Sequence, residues 1–399
     1  MTRIWFCDDP TYNYQTIRAF SHVPYGGGEA GEILAAIKDI KEGDIESWYR
    51  GWDQAARRVE QIGCTAQDTV SRGRALLRAH NYYRTAEFLL YPGDPRRVEA
   101  FRKNVTAFND GLDALGIERE TIDVPYGEYR LKAVSYPGPS GSEAKPLIVA
   151  CGGYDSTMEE LYFIIVAAAL ERGYSALIYE GPGQGSILRE QGLVFTHEWE
   201  KPNTAVLDEF LKNHRKPDKI VLYGLSLGGY LAPRAAMHDD RIDGIILNNM
   251  LYDMQEAAFE QVPGFAGFLH KHGFDGILNS IVKLKMKTTP GVRWGVKNTE
   301  WAMGTKTPVD AFNAFARYSL RGIAENIKCD VLILAAEKDH MIPLKQASDL
   351  EKELVNARSV TVHIFANGEG AQEHCEFGAI TQSHEVIFDW IEHKFGGTA

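Results

Sequence analysis

The sequence predicts an α/β fold: a mostly parallel, doubly wound sheet with an N-terminal helical domain and an inserted helical cap. Three observations carry this. From about residue 123 onward, short apolar runs alternate with helical stretches, the pattern of a parallel sheet covered on both faces. Before that point the spacing is helical throughout. Between about Asp253 and Arg321 the alternation stops, and helical segments rich in aromatics (Phe259, Phe265, Phe268, Trp294, Trp301, Phe312) take over. An insertion after a strand of a parallel sheet emerges at its carboxyl edge, where ligands bind. The expected division is therefore 1–122 as a helical lid domain and 123–399 as the core, with the cap at about 253–321.

In the N-terminal part, Asp44 is a fitting N-cap, and Ile45, Trp48, Tyr49, Trp52, Ala56, Val59 and Ile62 follow it at helical spacing. A second helix is expected near Ser71 to Leu90, and a third carries Val98, Phe101, Val105, Phe108 and Leu112. Aromatics this dense in helices are usually core. The run His80-Asn81-Tyr82-Tyr83 is less ordinary, because four consecutive positions point all round a helix. His80 and Tyr83 are therefore candidates for lining a pocket.

The core begins with the alternating strand Tyr129 to Tyr136, followed at 137–142 by a hairpin-type turn rich in Pro, Gly and Ser. Pro146 to Cys151 is a buried strand ending in Gly152-Gly153-Tyr154-Asp155. A helix follows, with Ser156 and Glu159 spaced as a capping box and Gly173 at its end. Strand Ser175 to Tyr179 leads into Glu180-Gly181-Pro182-Gly183-Gln184-Gly185. That loop lacks G-x-G-x-x-G spacing, and Pro182 removes a donor N–H, so a structural loop is expected and a nucleotide is not. Further strands are expected at Ile220 to Tyr223, Gly244 to Asn248, Cys329 to Leu334 and Val360 to Phe365, before a C-terminal helix.

The stretch Lys219 to Met237 organises the site. Its apolar strand turns at Gly224-Leu225-Ser226-Leu227-Gly228 into an Ala- and Leu-rich helix. A sharp strand-to-helix turn pushes its pivot side chain out above the sheet, and glycines two before and two after give it room. Ser226 is the expected nucleophile. A serine nucleophile needs a base, and the base an orienting acid, which for such an elbow follow in the order acid, then histidine. After strand Val331 to Leu334, Asp339 lies where the chain leaves the sheet, with Glu337 as the fallback. After the last strand comes His374 in a Gly-rich loop; His340, His363 and His384 are weaker rivals by position. The oxyanion hole should use the N–H groups of Leu227 and Tyr154, with Gly153 as a hinge. Without H-E-x-x-H or another spaced ligand set, neither a metal nor a cofactor is expected.

Composition sets the class. At 399 residues, 44% hydrophobic and 24% charged, the chain reads as an ordinary globular protein. A net charge of -11 argues against nucleic acid as a partner. No run of 18 or more apolar residues exists, and Asp8 and Asp9 break any leader pattern, so neither a membrane span nor a targeting segment is expected. The five scattered cysteines suggest reduced thiols and a cytoplasmic location.

With these residues in view, the chain resembles one branch of the α/β-hydrolases, that of 2,6-dihydroxypseudooxynicotine hydrolase and the fungal polyketide-shortening hydrolases. The shared features are N-Y-Y-R-T-A-E-F at 81–88, G-G-Y-D-S-T-M-E-E at 152–160, E-G-P-G-Q-G at 180–185, G-L-S-L-G-G at 224–229 and G-A-Q-E-H-C at 370–375. The resemblance implies the α/β-hydrolase fold, a small-molecule substrate, hydrolysis of a carbon–carbon bond beside a ketone, a helical lid and a homodimer. Esters are the alternative substrates, and a non-catalytic binding protein is the remoter one. The resemblance also implies a further acidic residue near the site; the nearest match is Asp253, beside Tyr252, and with Asp155 these complete the substrate-binding candidates.

Overall fold

The computed structural model describes residues 6–396. Helix starts in the N-terminal region are set by a repeated device, an aspartate that accepts backbone N–H groups of the first turn. Asp9 caps α1 (Pro10–Phe20), Asp44 caps α3 (Ile45–Thr65), Asp68 caps α4 (Thr69–Phe88) and Asp94 caps α5 (Pro95–Ala114). The shorter α2 covers Ala30–Ile37. Trp48, Trp52, Tyr82 and Tyr83 fill the core between these helices.

Contacts divide the chain into two compact units, one made of the residues up to Glu118 with Asn279–Trp301, the other of Arg119–Leu278 with the residues from Ala302 on. The insert expected at about 253–321 is thus shared between the two. Within the first unit its middle part is held by specific polar contacts. Arg97 pairs with Glu87 at 3.2 Å, donates to Asn298 Oδ1 at 3.0 Å and lies over the Trp301 ring. The Trp294 indole N–H donates to Phe88 O at 2.9 Å.

The second unit is built on one eight-stranded sheet. Its strands are β1 (Glu120–Tyr126), β2 (Tyr129–Tyr136), β3 (Leu147–Cys151), β4 (Ala176–Glu180), β5 (Ile220–Leu225), β6 (Gly244–Asn248), β7 (Asp330–Ala336) and β8 (Ser359–Phe365). The order across the sheet is β1-β2-β4-β3-β5-β6-β7-β8. From β4 onward neighbours run parallel, whereas β2 pairs antiparallel with both β1 and β4. Every residue of β3 to β7 is buried, which is why these strands read as unbroken apolar runs. Among the described residues no helix is long and apolar enough to cross a membrane.

Two expectations change here. Residues 120–126 form an edge strand that starts inside the stretch expected to be helical to about 122, and its partly exposed Glu-Thr-Ile-Asp-Val pattern is what a half-covered edge allows. The 137–142 turn does not make a hairpin, since β3 lies beyond β4 from β2. Turn residues show that a chain bends, not which strand it next joins.

Removing one member of the buried Glu87–Arg97 pair leaves an uncompensated charge. Glu87→Ala should cost about 3 kcal/mol in urea unfolding, and a Glu87→Met, Arg97→Met double replacement should recover most of it.

Candidate active site

The elbow forms because the chain must reverse within a few residues between β5 and the helix Gly228–Ala236. Ser226 takes a φ of 57°, a left-handed value that costs about 1–3 kcal/mol for a residue with a side chain. A methyl group at Gly224 would stand 2.0 Å from Gly228 O, so only glycine fits there. The Ser226 N–H donates to Asn248 O at the end of β6, at 2.5 Å. Ser226 itself is half-buried.

From that position the hydroxyl meets the expected partners. His374 Nε2 lies 2.8 Å from Ser226 Oγ, and His374 Nδ1 lies 2.7 Å from Asp339 Oδ2. With the Nδ1–H donated to the carboxylate, the tautomer that leaves Nε2 free to accept from the hydroxyl is the one this arrangement requires. The other Asp339 oxygen accepts N–H groups of its own loop, from Met341 at 2.7 Å and Ile342 at 2.9 Å. Both side chains are enclosed, at 5% and 2% exposure. Burial works against a charged imidazole, but the Asp339 carboxylate and the neighbouring Cys375 outweigh it, so the His374 pKa lies well above the usual histidine value. Two positions on, burial pushes the Glu376 carboxyl well above its ordinary range, with His374 opposing and Asp339 adding to the rise. The neutral acid is favoured there, and Asp339 is the carboxyl that bonds the imidazole.

His374 is presented by a strained turn. Cys375 and Glu376 have φ of 59° and 53°, and with Ser226 they are the non-glycine residues of positive φ among those described. The Cys375 N–H donates to Asn249 Oδ1 at 2.5 Å. Adjacent asparagines at the end of β6 therefore hold both the nucleophile's turn and the base's turn. Neither asparagine was singled out in the sequence; two polar residues closing an apolar strand were the only signal.

The rivals are placed elsewhere. Glu337 accepts the Asn367 N–H at 2.7 Å on the exposed side of its loop. His384 bonds Ile164 O at 2.6 Å inside the core, and His363 lies within β8. The His340 ring is 6.3 Å from that of His374, edge to face.

On the oxyanion side, Leu227 stands at the start of the helix Gly228–Ala236, where N–H groups have no intrahelical acceptor. Gly153 backs directly onto the elbow: a methyl group there would stand 2.9 Å from Ser226 Cβ and 3.3 Å from Leu227 N. Tyr154 stacks on Phe195 at 5.4 Å, and Asp155 is half-buried on the same turn. The expected capping box is displaced by one residue. Thr157 caps the next helix through Glu160 N, while Ser156 Oγ accepts the Gly153 N–H at 3.0 Å.

The remaining substrate-binding candidates have structural partners. Asp253 is the N-cap of the helix Met254–Glu260, one oxygen accepting Glu256 N at 2.8 Å and the other the Ser319 hydroxyl at 2.9 Å. Tyr252 is buried, its hydroxyl donating to Glu353 at 2.6 Å. His80 and Tyr83 are fully enclosed within the helical unit, His80 against Asn104 O and Phe108, Tyr83 donating to Glu60. Four side chains pointing all round a helix are accommodated because that helix is covered on all sides, so these two line no open pocket. Among the described residues no group of His, Cys, Asp or Glu is arranged to hold a metal ion.

Comparison with known proteins shows the family and the fold. Residues 147–375 match the alpha/beta hydrolase family. The chain is 33% identical to "Hydrolase acrC" of Aspergillus aculeatus, over 96% of each chain. It is also 33% identical to "20-hydroxy-prefusarin hydrolase FUS2" of Gibberella moniliformis, again over 96% of each. Among solved structures, that of 2,6-dihydroxy-pseudo-oxynicotine hydrolase superposes with a TM-score of 0.73 at 20% identity, covering 93% of this chain and 94% of the other.

Because one Asp253 oxygen caps the helix and the other accepts the Ser319 hydroxyl, Asp253→Ala should lower stability by about 1 kcal/mol. Turnover in the folded variant should change by no more than about twofold, measured under conditions where both proteins are fully folded.

Proposed function

Starting from the membership of this chain in the alpha/beta hydrolase family, we propose that it is a serine hydrolase cleaving a carbon–carbon bond beside a ketone. The substrate class is a β-diketone, acyl-aromatic or polyketide-type compound. The observation that carries the serine chemistry is the continuous hydrogen-bonded chain from Ser226 through His374 to Asp339, at 2.8 and 2.7 Å. Its support on the side of the substrate is the resemblance of the motifs at 81–88, 152–160, 180–185, 224–229 and 370–375, together with a relative named for a hydrolase of 20-hydroxy-prefusarin.

The steps follow from the parts. His374 Nε2 takes the Ser226 proton as Oγ bonds to the ketone carbon. The developing oxyanion meets the Leu227 and Tyr154 N–H groups, and one such donor is worth about a hundredfold or more in rate. Collapse breaks the carbon–carbon bond and expels a carbanion, which needs delocalisation as an enolate or phenolate. The His374 imidazolium, favoured by Asp339, returns its proton to that carbon. Water, deprotonated by His374, then attacks the acyl-enzyme and releases the carboxylic acid.

A second reading, hydrolysis of an aromatic or polyketide ester, is favoured by one observation. The carboxylate of Asp253 is occupied as a helix cap and does not stand ready to hold an enol leaving group. An alkoxide needs only His374. Parallel assays on aryl 1,3-diketones and aryl esters separate the two; turnover of esters alone would decide for the second.

Ser226→Ala, His374→Ala and Asp339→Asn should each reduce turnover by about 10⁴-fold, and double variants should lose little more, because the three act as a unit. Retention of most activity in Ser226→Ala would overturn the acyl-enzyme. The base works only when neutral, so kcat/KM should rise with pH through the raised His374 pKa. Asp339→Asn removes an upward push on that pKa, so this acid limb should move to lower pH while the rate falls.

A further inference from the structure

The loop Glu180 to Gly185 has no part in the chemistry above, yet its side chains reach into it. We propose that Gln184 is the positioning residue for the second oxyanion donor, setting the peptide planes of Gly152 and Gly153 so that the Tyr154 N–H faces the developing oxyanion. This inference rests on the reading of Ser226 as the nucleophile.

Gln184 is only 2% exposed. Its Oε1 accepts the Gly181 N–H at 3.0 Å, and since an N–H can be faced only by an acceptor, the orientation of the amide is settled. The amide nitrogen donates to Gly152 O at 2.7 Å and to Gly153 O at 3.2 Å. From the other side Ser156 Oγ accepts the Gly153 N–H. Among the described residues every peptide bond is trans, and a trans peptide carries its C=O and N–H on opposite sides. Holding the Gly153 carbonyl toward Gln184 therefore turns the Tyr154 N–H away from Gln184. Gly153 in turn abuts Ser226 and Leu227, as the distances for an added methyl group show.

A lock is needed because two adjacent glycines have unusually free backbones. An unpinned Gly153–Tyr154 peptide can rotate and present a carbonyl oxygen where the oxyanion must form, replacing an attraction with a repulsion. Glu180 braces the lock. Its carboxylate accepts Ser186 N at 2.8 Å, the Ser186 hydroxyl at 2.7 Å and Met158 N at 2.9 Å, tying the loop of Gln184 to the segment that follows Asp155. These bonds account for Glu180 and Gln184 of the E-G-P-G-Q-G motif.

The test uses diisopropyl fluorophosphate, whose reaction with a serine hydroxyl develops negative charge on the phosphoryl oxygen and needs no knowledge of the natural substrate. Gln184→Met keeps length and loses both donors. Its rate of phosphylation at Ser226 should fall about a hundredfold, while the acid limb set by His374 stays at its wild-type pH. A rate within about threefold of wild type would overturn the proposal. So would an acid limb that moves with the rate, since that marks general disturbance of the site. Ser226→Ala controls the premise: equal phosphylation of that variant removes Ser226 as nucleophile and is a different failure. A crystal structure of the wild-type adduct is a check independent of folding of the variant. The phosphoryl oxygen should lie within hydrogen-bond reach of Leu227 N and Tyr154 N, with Gln184 still on the Gly153 carbonyl; an oxygen pointing elsewhere overturns the proposal.

Discussion

The site depends on how the end of β6 is spent. Asn248 gives its carbonyl to the N–H of Ser226, and Asn249 gives its side-chain oxygen to the N–H of Cys375. Those bonds sit on the segments where non-glycine backbone is driven to positive φ. Left-handed conformations at such residues persist only where the surroundings over-determine them. Here one strand terminus, fixed by parallel pairing on both sides, stabilises two turns at once. The geometry between Ser226 and His374 is thus set by a shared anchor rather than by two independent loops, which is how a 2.8 Å contact is kept between residues 148 positions apart.

Electrostatics follow from enclosure. Buried at the centre are an imidazole, one carboxylate and, at Glu376, a carboxyl whose burial favours the neutral form. A second anion so near would compete for the imidazole's proton and blur the direction of transfer. With the neutral form favoured at Glu376, Asp339 sets the tautomer, and the loop N–H groups of Met341 and Ile342 hold that carboxylate in place.

Much of this was legible in the sequence. Glycine spacing around Ser226 reports a steric demand that few other folds make, and the order of Asp339 and His374 along the chain follows from parallel strands that all release their loops at one edge. The aspartate caps at Asp44 and the apolar runs of β3 to β7 were equally plain. What escaped was set by partners distant in sequence. The functions of Asn249 and Gln184 exist only through contacts 126 and 32 positions away. Asp253 carries the same carboxylate whether it caps a helix or meets a ligand, and only the presence of Glu256 N and Ser319 decides. The 120–126 strand was hidden because an edge strand needs little apolar pattern, and His80 was misread because burial on every side of a helix leaves no mark on its own sequence.

The division of the insert bears on how such a protein can be rebuilt. The helices Asp275–Thr288 and Pro290–Met303 each begin in one compact unit and end in the other. Trp294, Asn298 and Trp301 find their partners at Phe88 and Arg97, more than 190 positions earlier. A chimera that exchanged the insert alone for that of a relative would strand the guanidinium of Arg97 and the backbone of Phe88 without their mates. Modular replacement has to carry the first 118 residues and the insert together, so in lineages of such proteins these two segments should change in concert while the sheet keeps its own tempo.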